Sequence, residues 1–177
     1  ATTEIYTLSL HDALPIHPVR RDRTPPEPFP TLYWLVCDAV AAQLARLESA
    51  GGVRRAEEAM AADADLRSRV HADHQAYAAE RWALLDDAER AALAAAGRAE
   101  ALRDRGIGGI ANRDAVKCLH LHYAHHLARG SAIGALVDAW TDVRLCAAPR
   151  TGREATQVRA RAGGTGGTRA GAPRRPG

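Results

Sequence analysis

Three absences narrow the classes of protein to which this 177-residue sequence can belong. No apolar run approaches the roughly 18 residues that a membrane-spanning helix needs, so we expect no membrane span. The first residues lack the basic start and long apolar region of a signal peptide, which predicts a cytoplasmic protein. With only three cysteines and no export signal, the sequence favours free thiols or metal ligands over a disulfide framework.

A basic folded surface is also absent, although the chain has a formal net charge of +3 and a pI near 9.0. Residues 147–177 contain seven arginines and one glutamate, which gives this segment alone a net charge of +6. Residues 31–146 have a net charge of −2, so nucleic-acid binding is not expected of the folded part. We predict that residues 147–177 form a disordered basic tail, because they offer too little apolar surface for a core.

The first 30 residues are expected to lie outside the folded domain. Residues 1–16 resemble the translation of a universal sequencing-library adapter, which predicts that they are foreign and that a natural upstream segment is lost. The alternative is a genuine strand in which Ile5, Thr7 and Ser9 share one face. Residues 17–30 contain five prolines and should be extended.

Residues 31–146 predict one mainly helical domain with a remnant of β-structure. Residues 31–37 are rich in aromatic and branched side chains and predict a short buried strand, whose partner would lie in the lost upstream segment. About five helices around one core are expected. Caps and apolar periodicity place helical segments at residues 38–51, 54–62, 65–85, 86–105 and 112–129, and a last helix after Ser131.

One helical segment, residues 65–85, has polar residues on its apolar side. Its apolar stripe consists of Leu66, Val70, Tyr77 and Leu84. His74 and Arg81 fall on the same stripe. These two side chains either reach the neighbouring helix and complete a site there, or lie at the rim of the core with their polar ends in solvent.

The densest group of reactive side chains lies in residues 106–127, which hold the only lysine and four of the eight histidines. Asn112 is the predicted N-cap of a helix that runs to Arg129 and ends at Gly130. On such a helix Cys118, His122 and His125 would form one stripe.

This stripe has three interpretations. Cys118, His122 and His125 could bind one metal ion, for which zinc is suited, and Cys37 could add a ligand from the junction of the strand and the first helix. Alternatively, Cys118 and His122 could form a catalytic pair of thiolate and imidazole. In the third interpretation they are a half-buried cysteine and solvated histidines without a chemical role.

A glycine-rich turn precedes the predicted central helix. Gly106, Gly108 and Gly109 could present backbone N–H groups to a phosphate-like ligand, and Lys117 could add a catalytic charge. The alternative is an ordinary turn between helices with a solvated lysine, and Asp114 at the helix start would repel an anion. We predict that Lys117 approaches the glycine turn, because a compact ammonium can enter a space that a guanidinium cannot.

Three separated motifs resemble one known family. They are residues 28–37 (PFPTLYWLVC), residues 106–109 (GIGG) and residues 117–122 (KCLHLH). Together they resemble the bacterial family catalogued as domain of unknown function 501, over about residues 28–146. That family has no established activity. Its genes often lie beside those of a septum-formation initiator and an exopolyphosphatase, so the resemblance implies a link to cell division or polyphosphate metabolism.

The chain departs from the family pattern in three places. Members usually carry an upstream Arg-Cys-Pro-x-Gly-x-Pro segment, and this chain has no cysteine before Cys37. A Thr-Cys-Pro motif is replaced by residues 36–38 (VCD), and a Gly-Asp-Asn-Pro-like turn by residues 130–132 (GSA). If the upstream cysteine is a metal ligand in relatives, the site in this chain is incomplete.

Two functions of different classes follow from the sequence. The first is a small protein with a Cys/His metal or thiol site, acting on a small anionic substrate. The second is a non-catalytic helical interaction module whose cysteines and histidines are structural. The sequence does not decide whether the protein is an enzyme, and it identifies no partner.

Overall fold

The fold is mainly helical, with short antiparallel strands before the first helix, as the sequence predicted. The structure is a computed structural model that describes residues 13–23 and 25–143. Its strands are β1 (Ala13–Pro15), β2 (Val19–Arg20), β3 (Glu27–Pro28) and β4 (Tyr33–Leu35). Its helices are α1 (Asp38–Ser49), α2 (Gly52–Ala62), α3 (Ala64–Ala83), α4 (Asp87–Ala95), α5 (Glu100–Arg103), α6 (Leu119–Arg129) and α7 (Ala132–Trp140). The described residues thus form seven helices, where about five were expected.

The predicted N-terminal strand has a partner, which corrects the expectation that it is orphaned. β1 and β4 pair antiparallel, with Leu14 opposite Trp34 and Pro15 opposite Tyr33. The inner residue Tyr33 is buried, whereas Leu14 and Trp34 remain exposed on the outer face. The partner strand lies within residues 1–16, whose foreign origin stays a prediction. Residues 1–12 and the predicted tail, residues 147–177, lie outside the described residues.

The predicted helix over residues 86–105 is divided into α4 and α5. Asp86 and Glu89 form a capping box at the start of α4. Gly97 then has a positive φ of 65°, which ends the helical path. Because of this break, Leu93 and Leu102 are both buried in the same cluster, although they would point in different directions on one continuous helix.

The central helix begins at Leu119, seven residues after the predicted N-cap. Asn112 caps only a local turn, since its side-chain oxygen accepts the N–H of Asp114 (3.0 Å). The following segment is held in a non-helical path by α2, because the N–H of Val116 donates to Glu57 Oε1 (2.9 Å). The C-terminal end is confirmed at Arg129, where Gly130 has a φ of 76°.

The main core lies between α1, α2, α3, α6 and α7. On α3, Leu66, Val70 and Tyr77 are buried as predicted. Leu84, the residue after the end of α3, is instead 49% exposed, whereas the next residue, Leu85, is buried. Ser131 caps α7 as predicted, accepting the N–H of Gly134 (3.1 Å). Among the described residues, no helix combines the length and the apolar character that crossing a membrane requires.

Candidate functional site

One group of potential metal ligands forms where the end of α1 meets the start of α6. Glu48 lies in the last turn of α1, Cys118 immediately precedes α6, and His120 is the second residue of α6. A carboxylate oxygen, the thiol sulfur and an imidazole nitrogen of these residues all lie within 4.8 Å of one another. All three side chains are partly buried. Among the described residues, no other group of three or more potential metal ligands has its ligand atoms within 4.8 Å of one another.

Hydrogen bonds fix the Glu48 carboxylate at the start of α6. Glu48 Oε1 accepts the backbone N–H groups of Leu119 (2.5 Å) and His120 (3.3 Å). These are two of the N–H groups that the first turn of a helix leaves without internal partners. Glu48 therefore caps α6 from a position about 70 residues earlier in the chain.

Contacts at both ring nitrogens fix the orientation of His120. Nε2 donates to the backbone oxygen of Ala41 (3.1 Å), so its lone pair is on Nδ1 in the neutral ring. Nδ1 lies 3.0 Å from Glu48 Oε1. A lone pair facing a carboxylate oxygen is repulsive unless a proton or a metal cation lies between them. The contact thus marks a position where positive charge is favoured.

The Cys118 sulfur is a protonated thiol at neutral pH in this environment. Burial raises the pKa of Cys118, while the backbone N–H of Leu121 lowers it by less. A reactive cysteine needs the opposite shift, because the thiolate is the nucleophile. The geometry therefore gives no support to the catalytic pair of Cys118 and His122. A metal ion could still displace the thiol proton.

The expectation of free cysteines was wrong for Cys37, which is disulfide-bonded. Cys118 is a free cysteine. Cys37 is buried between β4 and α1, and only the folded chain shows whether two sulfurs come close enough to bond. A disulfide sulfur is not a thiolate ligand, so Cys37 is not part of the ligand group that the structure assembles.

His122 and His125 lie away from Cys118, in the interior between α3 and α6. Cys118 is extended, with φ of −165° and ψ of 155°, so it does not continue the helical stripe on which the three were predicted. His122 instead packs edge-on against His74, with ring centroids 5.6 Å apart. His125 packs against Tyr77 in the same way, at 5.1 Å. The predicted metal set is therefore not brought together, and the role of His122 and His125 as ligands stays a prediction.

The three interior histidines are neutral and incompletely hydrogen-bonded. Burial lowers the pKa of His74 to about 4, of His122 to about 3 and of His125 to about 4. Nε2 of His74, Nε2 of His122 and Nδ1 of His125 have no hydrogen-bond partner in the part of the chain that the structure describes. Each such buried polar atom costs about 1–3 kcal/mol.

Arg81 is buried, so its predicted alternative position at the rim of the core is wrong. Its guanidinium donates to the backbone oxygens of Leu102 (2.8 Å), Pro30 (2.9 Å), Gly106 (3.1 Å) and Arg105. Burial lowers the pKa of Arg81 to about 10, which still leaves it charged at neutral pH. Arg81 joins α3 to two loops, which is a structural role.

The glycine turn uses three of its N–H groups within the protein. Gly106 donates to Ile110 O (2.9 Å), Gly109 donates to Gly106 O (3.0 Å), and Ile107 donates to His74 Nδ1 (3.1 Å). The predicted approach of Lys117 is present, since its Nζ donates to Gly108 O (2.8 Å). These bonds give the turn a structural function and do not favour the phosphate-binding hypothesis. A role for Lys117 in chemistry stays a prediction.

Two members of the ligand group, Glu48 and His120, were not predicted from the sequence. Glu48 carries no local signal, because a carboxylate near the end of a helix is common on solvated surfaces. His120 does not share the Cys118 stripe of a helix that starts at Asn112, so helical periodicity did not select it. The Lys-Cys-Leu-His motif did contain a signal, since Cys118 and His120 are two residues apart.

Comparison with protein families identifies what the three motifs represent. The family described as Protein of unknown function (DUF501) matches residues 9–139. The chain belongs to this family. The predicted resemblance to DUF501 is thereby confirmed. The match begins at residue 9, so it also includes β1. Comparisons with curated proteins and with solved structures gave no match.

Proposed function

We propose that this DUF501 protein binds a zinc-like divalent metal ion through Glu48, Cys118 and His120. The observation that supports this most directly is the meeting of three different ligand types within 4.8 Å at the junction of α1 and α6. The orientation of His120 adds to it, because its Nε2–H is held by Ala41 O and its Nδ1 faces Glu48. A carbonyl partner of this kind commonly fixes the ring of a histidine that ligates a metal.

The ligand types indicate which metal fits. A thiolate, an imidazole and a carboxylate together suit zinc better than magnesium or calcium, which prefer oxygen ligands alone. Three protein ligands leave a fourth position of a tetrahedral zinc ion for water or substrate, the arrangement found in catalytic sites. When bound, such an ion would act as a Lewis acid on that fourth ligand.

The metal would also join two distant parts of the chain. Glu48 belongs to α1, whereas Cys118 and His120 belong to the start of α6. Because the unfolded chain does not hold these groups together, metal binding should add to the free energy of unfolding. At a free metal concentration 100 times the Kd, the gain would be about 2.7 kcal/mol.

Titration of the metal-free protein with Zn²⁺ tests the proposal. We expect one equivalent to bind, measured by calorimetry and by elemental analysis after dialysis. Cys118→Ser and His120→Gln should each weaken binding by more than about 100-fold, since even residues that only orient a ligand cost 10–100-fold when replaced.

The chain offers matched controls for both kinds of ligand. His126→Gln changes another α6 histidine, whose ring contacts Ser131 and Asp138. Glu57→Gln changes another carboxylate that accepts a backbone N–H of the segment before α6. Both controls should bind Zn²⁺ as the unchanged protein does. Absence of stoichiometric binding, or equal binding by Cys118→Ser, would contradict the proposal and favour the non-catalytic helical module.

A further inference from the structure

The glycine turn of residues 106–109 rests on the ring of His74. The N–H of Ile107 donates to His74 Nδ1 over 3.1 Å. Gly106 lies so close to the ring that an added Cβ would be 2.6 Å from Nδ1. Because a backbone N–H can only donate, Nδ1 must carry its lone pair, and the proton of the neutral ring is on Nε2.

This contact exists only while His74 is neutral. A second proton can be added to the ring only at Nδ1, and it would place two N–H groups opposite each other. His74 is fully buried, so the turn has to move before solvent can replace the lost bond.

The surroundings of His74 mostly disfavour an imidazolium, and only the backbone of Arg113 favours it. His122 of α6 packs on the ring at 5.6 Å, and His125 lies in the same interior cluster. His71 of the same helix and Arg113 of the loop before α6 act on the ring with further positive charge. Asp114, the acidic neighbour of Arg113, is hydrogen-bonded to His71 (2.7 Å).

We propose that His74 is a proton-operated latch on the glycine turn, closed when the ring is neutral and opened when Nδ1 is protonated. Opening releases Ile107 from His74, while Arg81 still holds Gly106 O, and it withdraws Gly108 O from Lys117. Lys117 directly precedes Cys118, so the latch connects the interior of α3 with the segment that leads into α6. This device is separate from metal binding and does not depend on it.

Amide hydrogen exchange of Ile107 tests the latch in the full chain. In the open state His74 should titrate at its ordinary value of 6.5, whereas in the closed state its pKa is lowered to about 4. After correction for intrinsic exchange, the opening constant of the Ile107 amide should therefore rise about 10-fold between pH 7.5 and 5.5. The amide of Val137, buried in the core, reports global unfolding in the same experiment.

Two variants separate the latch from general acid effects. His74→Asn keeps an acceptor oxygen near the position of Nδ1 but cannot be protonated, so the 10-fold rise at Ile107 should vanish, while the Val137 amide keeps the pH dependence of global unfolding. His71→Asn removes a half-exposed histidine one turn away and should retain the 10-fold rise. An unchanged rise in His74→Asn, or no rise in the unchanged protein, would overturn the proposal.

A measurement on the unchanged protein covers the case in which His74→Asn does not fold. The ring nitrogen shifts of His74 at pH 7.5 should show the tautomer with the proton on Nε2. A proton on Nδ1 at that pH would exclude the Ile107 bond and with it the latch.

Discussion

Two buried polar regions include residues of α3, and they are stabilised in different ways. Arg81 keeps its positive charge because four backbone oxygens surround its guanidinium. The histidine cluster of His74, His122 and His125 has three ring nitrogens without partners and remains neutral instead. One region satisfies a buried charge with hydrogen bonds, and the other avoids charge altogether.

The difference shows which polar groups the fold depends on. Removing a fully bonded group leaves its partners unpaired, and each unpaired buried partner costs about 1–3 kcal/mol. Removing a ring nitrogen that lacks a partner, such as Nε2 of His122, leaves nothing behind to be satisfied, although His74 also accepts the N–H of Ile107. Arg81 should therefore be sensitive to substitution, whereas the histidine cluster should be sensitive to protonation.

The largest effect is expected for Arg81→Met, which tests whether the fold depends on the hydrogen bonds of the buried guanidinium. The variant retains an unbranched apolar side chain but leaves four backbone oxygens without donors, so stability should fall by roughly 5 kcal/mol or more. Equilibrium unfolding in urea measures the loss. Arg67→Met, an exposed position on the same helix, should change stability by less than about 0.5 kcal/mol. A small loss of stability for Arg81→Met would show that the loops keep their positions without the hydrogen bonds of Arg81.

Acidification tests the second half of the comparison. The pKa values of the three buried histidines lie below the ordinary value of 6.5, so the unfolded chain binds protons that the folded chain does not. The free energy of unfolding should be highest above pH 6.5 and should decrease as the pH falls toward 4. The decrease should reach up to about 4 kcal/mol per pH unit, because unfolding lets three histidines each bind a proton. Urea unfolding between pH 7.5 and 5.0 measures the slope. A flat profile would mean that the histidines accept protons in place.

A smaller effect is expected for His122→Leu at neutral pH. The substitution replaces a buried ring, which has an unpaired Nε2, by an apolar side chain of similar size. Stability at pH 7.5 should change by less than about 1.5 kcal/mol, the range of shape-conserving core changes. The dependence of stability on pH below 6.5 should then correspond to two protons instead of three. A loss as large as that of Arg81→Met would show that His122 has an essential polar role.

The smallest effect is expected for Lys117→Arg. Its ammonium makes one partly buried hydrogen bond to Gly108 O, and a longer planar guanidinium cannot occupy the same place. We expect a loss of about 1 kcal/mol, the net value of one such bond, read from thermal unfolding. Unchanged stability would indicate that the single lysine is replaceable like any solvated cation.

Local signals predicted much of the fold. The capping box of Asp86 and Glu89, the Ser131 cap and the end of α6 at Gly130 are all present, because each depends on residues within one turn. The inward position of His74 and Arg81 on α3 also followed from periodicity. These features could be predicted because nearby side chains determine them.

Long-range contacts account for what the sequence did not predict. The start of α6 depends on two carboxylates from earlier helices. Glu57 of α2 accepts the N–H of Val116, and Glu48 of α1 accepts the N–H of Leu119. No pattern near residue 119 reveals them, so the helix was predicted too long. The candidate metal site was predicted in the wrong place for the same reason. Cys118 lies before α6 instead of within it, and the ring of His120 contacts α1.

The β1–β4 ribbon has a consequence for the order in which the chain can fold during synthesis. A two-stranded ribbon is at best marginally stable alone, and this one packs with its inner face on α6. Its strands leave the ribosome about 80 residues before α6 does, a delay of several seconds at ordinary elongation rates. During that interval α1, α2 and α3 can form, so Tyr77 and Glu80 of α3 are available to Tyr33, but the surface of α6 is still missing. The emergence of α6 thus sets the moment at which both ends of the domain become ordered together.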